Sequence, residues 1–229
     1  MSGTEYEDIY EGRLSFSMMI RLAGLAFLCG ALMGQLVDFS YTIFGALHYH
    51  SPTFQIPSLG IEFCWWIPVL YGTAGVILWM GYVLLDRKFK QRPRGGFNPS
   101  WRFIFASILF FAIQFYGGPF LYSVGVSNFW LIFITISTAL LIWWVFDRTY
   151  GGLIMFFLVA ILGPLLEYNM INVFNLYHYT RPDIFGLPLW IVGAYMAGAA
   201  PNGNLARKFL LILERHKMKT KGLVKEKDL

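Results

Sequence analysis

The sequence predicts an all-α membrane protein: six transmembrane helices in one bundle, with N- and C-termini in the cytosol. Three observations carry this expectation. Hydrophobic residues make up 57% of the 229 and charged residues only 14%, at a mean hydropathy of +0.55; a soluble domain carries about 25% charged residues. Six apolar stretches approach the ~20 residues that a helix needs to span a hydrocarbon core. Lysine and arginine crowd onto alternate connections between those stretches.

The stretches fall at residues 17–36, 62–85, 101–120, 128–146, 152–166 and 184–200. The last two are short, and the fifth reaches 169 if Pro164 is tolerated, as membrane helices allow when neighbours satisfy the freed carbonyl. The connection between the second and third stretches holds six cations, Arg87, Lys88, Lys90, Arg92, Arg94 and Arg102. The segment after the sixth holds eight, and the connection after the fourth holds Arg148. The connections after the first, third and fifth hold only Arg181 among them. Positive segments stay in the cytosol, so both termini are expected there and the number of spans is even. The domains predicted are a cytosolic tail (1–13), a transmembrane domain (14–206) and a basic cytosolic tail (207–229).

The start of the chain bears Glu5, Glu7, Asp8 and Glu11 and lacks the basic start and small-residue cleavage site of a signal peptide. The first apolar stretch is therefore expected to stay in the mature protein. Arg21 sits about a turn inside the cytosolic end of that stretch, where a long side chain snorkels to the headgroups. Gly30 and Gly34 in the first span, and Gly193, Ala194, Ala197 and Gly198 in the sixth, offer close-packing faces.

The net charge of +5 is a topology signal, not a nucleic-acid footprint, because the cations flank apolar stretches instead of alternating with stacking aromatics. Cys29 and Cys64 both lie in apolar stretches and read as packing residues. His48 and His50 form an H-x-H, but two ligands from one loop do not make a metal centre, and no metal or cofactor is predicted. No Walker loop, G-x-S-x-G elbow, H-E-x-x-H or dinucleotide fingerprint is present, which leaves no catalytic constellation and predicts a protein that is not an enzyme. Glu62 at the start of the second span and Glu167 at the end of the fifth share the lumenal side. They read as solvated edge residues, as the polar lining of a cavity for a lipid headgroup or sterol hydroxyl, or as the acid and base of a small membrane lipid isomerase. Asp147 and Arg148 close the fourth span at the cytosolic face.

Four segments in order resemble the Insig family. The run WWIPVLYGTAGVILWMGYVLLD at 65–86 is similar to the family's second-span signature. WWVFDR at 143–148 resembles WW-x-FDR at the end of the fourth span, YHYTRPDIF at 177–185 resembles Y-x-YT-x-PDF, and GNLAR at 203–207 resembles the G-N-x-x-R after the sixth. The resemblance covers most of the chain from 65 to 207 and implies a six-helix lipid-binding regulator in the endoplasmic-reticulum membrane, or in the cell membrane of a prokaryote. In the family an oxysterol sits against spans three and four and stabilises a complex with the sterol-sensing domain of Scap or HMG-CoA reductase. Carried over, Asp147 matches the family's aspartate needed for Scap, and Trp143 matches a tryptophan facing the sterol. Trp130 stands where the family has a glutamine, and Gln114 on the third span is a substitute for that polar group. Trp143, Trp130 and Gln114 are thus the expected ligand-binding residues and Asp147 the partner-binding one. The ligand implied is a sterol, an oxysterol or another lipid; a diacylglycerol-like ligand without a Scap partner is the alternative. Lys225 and Lys227 in the terminal KEKDL resemble a dilysine retrieval signal.

Overall fold

The computed structural model describes residues 14–220. Its helices are α1 (Phe16–Ile43), α2 (Trp66–Phe89), α3 (Trp101–Ser123), α4 (Asn128–Phe146), α5 (Tyr150–Asn172), α6 (Ile191–Ala197) and α7 (Ala199–Thr220). Short strands lie between them: β1 (Leu47–Tyr49), β2 (Phe54–Ile56), β3 (Ile61–Phe63) and β4 (Tyr177–Tyr179). Among the described residues, α1 to α5 are long and apolar enough to cross a membrane, and the chain is a multi-pass membrane protein. The boundary drawn for the N-terminal tail, and the retrieval signal at Lys225 and Lys227, lie outside the described residues.

Helix starts follow capping chemistry. Ser100 accepts from the Phe103 amide and Thr149 from the Gly152 amide, so α3 and α5 begin where a hydroxyl satisfies an orphan N–H. α2 ends at Lys90, which takes a left-handed conformation (φ 50°).

Three expected boundaries are corrected. α1 continues past residue 36 to Ile43, because Asp38 and Ser40 are satisfied by Tyr49 and by the Val37 carbonyl inside the bundle. α5 runs to Asn172 instead of 166, since Glu167 is likewise buried and bonded. The sixth span is not a helix over 184–200. Residues before Ile191 are turns, and the rod then continues as α6 and α7 with an interruption at Gly198. Pro201 causes that break: it has no amide to offer the Ala197 carbonyl, and its ring crowds it. The line between bundle and basic tail at 206/207 accordingly falls inside α7.

α1 and α2 pack backbone to backbone. A Cβ on Gly30 would lie 2.3 Å from the Tyr71 carbonyl oxygen, and one on Gly75 would lie 2.6 Å from that of Ala26. Only glycine allows this approach. At one end of the bundle, β1 pairs antiparallel with β4 (Leu47↔Tyr179, His48↔His178, Tyr49↔Tyr177), and β2 pairs with β3. These strands tie the connections after α1 and α5 into a lid. At the opposite end the Arg94 amide donates to the Asp147 carbonyl at 2.9 Å, and the Tyr150 amide donates to Gln91. The connections therefore alternate between two ends, as the charge pattern requires.

Two buried apolar clusters fill the interior. One, toward the cationic end, gathers Trp79, Phe146, Phe156 and Leu210; the other, under the lid, gathers Tyr41, Phe115, Tyr122 and Trp190. Outward faces are equally apolar, with Phe105, Leu109, Ile113 and Phe133 exposed where lipid would lie.

Candidate functional site

Two adjoining hollows lie among the helices. The larger is an apolar cavity of about 240 Å³, lined by Cys29, Met33, Phe111, Leu158 and Ala194 among others from α1, α2, α3, α5, α6 and α7. The smaller is a polar chamber of about 50 Å³ beneath the lid. Tyr71, Ala74, Phe115, Leu166 and Tyr195 border both. An amphiphile with a small head and a hydrocarbon tail has the matching shape.

Two carboxylates sit in the chamber wall. Asp38 is 6% exposed, and both of its oxygens accept from the Tyr49 hydroxyl, at 3.0 and 2.8 Å. Glu167 is 8% exposed and accepts from Tyr179 at 3.1 Å and also from Tyr177 and Tyr195. Burial first, and the adjacent carboxylates second, push the phenols of Tyr49, Tyr177 and Tyr179 well above their ordinary value. They stay neutral and act as donors. The alternation of β4 aims Tyr177 and Tyr179 inward and leaves His178 outside. There the His50 Nε2 lies 3.0 Å from the His178 Nδ1, and His48 lies 3.3 Å from Glu62.

Glu62 is not part of the chamber wall. It sits on β3, where it accepts from the Tyr49 amide at 2.7 Å and pairs with His48. Of the three readings of Glu62 and Glu167, those that put both on one cavity are corrected: the carboxylate that shares a hollow with Glu167 is Asp38. Sequence reading passed over Asp38 because it ended the first span before it.

The other predicted residues lie elsewhere. Gln114 is 8% exposed and donates to the carbonyls of Thr135 and Gly193 at 2.8 and 2.9 Å, which ties α3 to α4 and α6. Trp130 is 55% exposed on the outer face of α4, edge-on to Phe129 and Phe133. Trp143 is partly buried against the cationic-end cluster. None of the three borders the cavity: the face of α3 that lines it carries Ile108, Phe111 and Phe115, whereas Gln114 turns to α4 and α6.

Asp147 is fully buried. It accepts from Arg207 Nη2 at 3.1 Å, from Tyr82 at 3.0 Å and from Thr149 at 3.0 Å. Arg207 also donates Nε and Nη2 to Asp86 at 2.7 and 3.0 Å. Asn204 meanwhile holds the Phe146 carbonyl at 3.0 Å. The triad pins the ends of α2 and α4 to α7, so Asp147 offers no surface for direct partner contact. Arg207, expected in a solvated tail, is instead fully buried. No run of charge in the sequence distinguishes it from the solvated lysines that follow.

The four motif segments meet their partners at the two ends of the bundle. Asp86, Asp147 and Arg207 form the triad at the cationic end, with Asn204 beside it, while at the lid end Tyr177 and Tyr179 cap the chamber and Trp66 stacks on Tyr177 at 6.3 Å. Asp183 accepts from the Leu189 amide at 2.8 Å and from Asn128, fixing the turn before α6 to the start of α4. Among the described residues, no three histidine, cysteine or acidic side chains are grouped as metal ligands.

No family model matches the sequence. Curated proteins do, among them two insulin-induced gene proteins. The chain is 25% identical over 152 residues to "Insulin-induced gene 2 protein" of Gallus gallus, a match covering 64% of this chain and 63% of that one. It is 26% identical over 152 residues to "Insulin-induced gene 1 protein" of Danio rerio, covering 64% and 57% respectively. The match thus spans about three-fifths of the relatives' own length. Among solved structures, the mycobacterial Insig homolog MvINS from Mycobacterium vanbaalenii superposes with a TM-score of 0.69 at 17% identity, covering 89% of this chain and 98% of that one. Ordered motifs, matching relatives and a shared helical bundle agree: this chain is similar to the insulin-induced gene proteins in sequence and to an Insig homolog in fold.

Proposed function

We propose that this protein is a non-enzymatic membrane regulator that binds a lipid in the apolar cavity among its helices. The observation that carries the reading is the cavity itself: about 240 Å³ of apolar space reaching the exposed face at Ile77 and Leu162, and sharing walls with a polar chamber that suits a small head. Closely packed helices leave few voids larger than water, and a built-in hollow of this size in an apolar bundle suits a hydrocarbon ligand. A sterol or oxysterol is the ligand class suggested by the resemblance, with a diacylglycerol-like lipid as the alternative.

The regulatory half of the proposal rests on the motifs and on the insulin-induced gene relatives. By that likeness, lipid binding favours a complex with a sterol-sensing membrane protein of the Scap or HMG-CoA reductase type, the lipid biasing the bundle toward its partner-competent state. Asp147 then acts through the triad, as a positioning residue for the ends of α2, α4 and α7.

Mass spectrometry of lipids co-eluting with the purified protein, with competition by labelled 25-hydroxycholesterol, tests the ligand. Saturable, oxysterol-selective binding supports a sterol regulator. Retention of another lipid without sterol competition favours the partner-free lipid binder, and absence of any saturable lipid overturns the reading.

A further inference from the structure

We propose that the chamber under the lid takes the protonated amine head of a single-chain lipid, with the tail in the adjoining cavity. The inference rests on the lipid-cavity reading and names the head chemistry that this chamber selects. Two carboxylates, Asp38 and Glu167, face it, and no lysine, arginine or histidine is among the described residues that line it. Carboxylates taken out of water require a partner to offset their lost hydration.

Glu167 has one: three tyrosine hydroxyls donate to its two oxygens. Asp38 has less: it accepts from a single hydroxyl, that of Tyr49, shared between both of its oxygens. Next to it in the wall, Tyr41 is 3% exposed and its hydroxyl has no hydrogen-bond partner. Tyr41 stacks on Trp190 at 5.7 Å and meets Phe115 edge-on at 5.3 Å, so its ring is fixed. The chamber thus presents a carboxylate short of donors beside an unpaired hydroxyl that can also accept.

Donor count decides which head fits. An ammonium brings three N–H donors and a positive charge, while an alcohol brings one donor and no charge. A hydrogen bond to a charged partner is worth about twice a neutral one. A phosphate head is excluded twice, by repulsion from the two carboxylates and by size. The chamber's 50 Å³ holds only a few non-hydrogen atoms. Ala74 and Phe115 line both this chamber and the apolar cavity, which puts an alkyl tail in reach of a head held here.

The test uses the purified full-length chain and three probes of one chain length: hexadecylamine, hexadecanol and hexadecyl phosphate. Each competes against a labelled lipid already shown to bind. The amine is expected to displace the label at a concentration at least about tenfold below the alcohol, with the phosphate weakest. Asp38→Asn should reduce that amine advantage to less than about threefold without weakening the alcohol. Tyr41→Phe removes a hydroxyl that has no internal partner to lose, and it should move the ratio in the same direction even if Asp38→Asn fails to fold. Equal displacement by amine and alcohol, or a preference that survives in both variants, overturns the amine assignment while the lipid-cavity reading stands. If no probe displaces the label and Ala74→Phe leaves its binding unchanged, the cavity reading fails as well.

Discussion

Arg207 and Asp147 stand sixty residues apart in sequence, yet the guanidinium Nη2 lies 3.1 Å from Asp147 Oδ1 with both residues fully buried. Asp86 completes the grip from α2. Removing one partner from a buried ion network leaves an uncompensated charge, at a cost of about 3–5 kcal/mol. Arg207→Met should therefore lower thermal stability sharply in detergent, and Asp147→Ala should do so too, along with any loss of partner binding. An Asp147→Ala protein that melts like wild type yet fails to retain a partner would mean that Asp147 meets the partner directly.

Gln114 and Trp130 separate a structural role from a ligand-contact role. Gln114→Leu removes the side-chain donor to the Thr135 and Gly193 carbonyls inside the bundle, and the loss of two hydrogen bonds should cost about 1–3 kcal/mol. Trp130 points outward and packs only on its neighbours in α4, so Trp130→Ala should change stability by less than about 0.5 kcal/mol. Chemical unfolding in detergent reads both. Loss of cavity ligand in Trp130→Ala without loss of stability would move the site to the outer face of α4.

The two cysteines supply an internal probe of occupancy. Cys29 lines the cavity and is only partly buried, whereas Cys64 is 2% exposed outside it. Maleimides reach an accessible thiol first. Labelling with N-ethylmaleimide should modify Cys29 faster than Cys64, and a bound lipid should slow Cys29 alone. Equal protection of both cysteines would point to global stabilisation and not to a ligand beside Cys29.

The lid carries a pH dependence. His178 is held below the ordinary histidine value, first by partial burial and then by His50 and His48, while Glu62 opposes the shift. A base with a depressed folded value resists protonation in the closed lid, so the open lid binds more protons below about pH 6.5. The β1–β4 pairing should therefore be firm above that pH and loosen as pH falls through it. Hydrogen exchange at residues 47–49 and 177–179 measures this. His50→Ala should weaken the dependence, and exchange that stays flat between pH 7.5 and 5.5 would contradict the assignment.

The parts of the fold that were legible in the sequence are those that hydrophobicity and charge determine: helices α1 to α5 and the alternation of their connections. The boundaries that moved did so at polar residues. Asp38 and Glu167 each end an apolar run on paper, and each continues a helix in space because tyrosines from the lid reach them. Those tyrosines come from segments eleven residues after Asp38 and ten and twelve after Glu167, across turns that no periodicity reports. Arg207 shows the same limit from the other side, since only the fold reveals that the first cation after the sixth apolar stretch is the buried one. The motif segments were visible, but what they do was not: most of their charged residues hold the bundle together, and the cavity is lined by ordinary apolar side chains with no signature.

Saturable binding of labelled 25-hydroxycholesterol and of a labelled diacylglycerol to wild type and to Ala74→Phe tests the central claim most directly. Ala74 borders both hollows, so a phenyl ring there takes up space where they adjoin without removing a partner of the triad or of the β1–β4 pairing. The account predicts that at least one of the two lipids saturates the wild type and that Ala74→Phe, melting like wild type, loses it. Undiminished binding in a folded Ala74→Phe protein, or no saturable binding of either lipid to wild type, would contradict it.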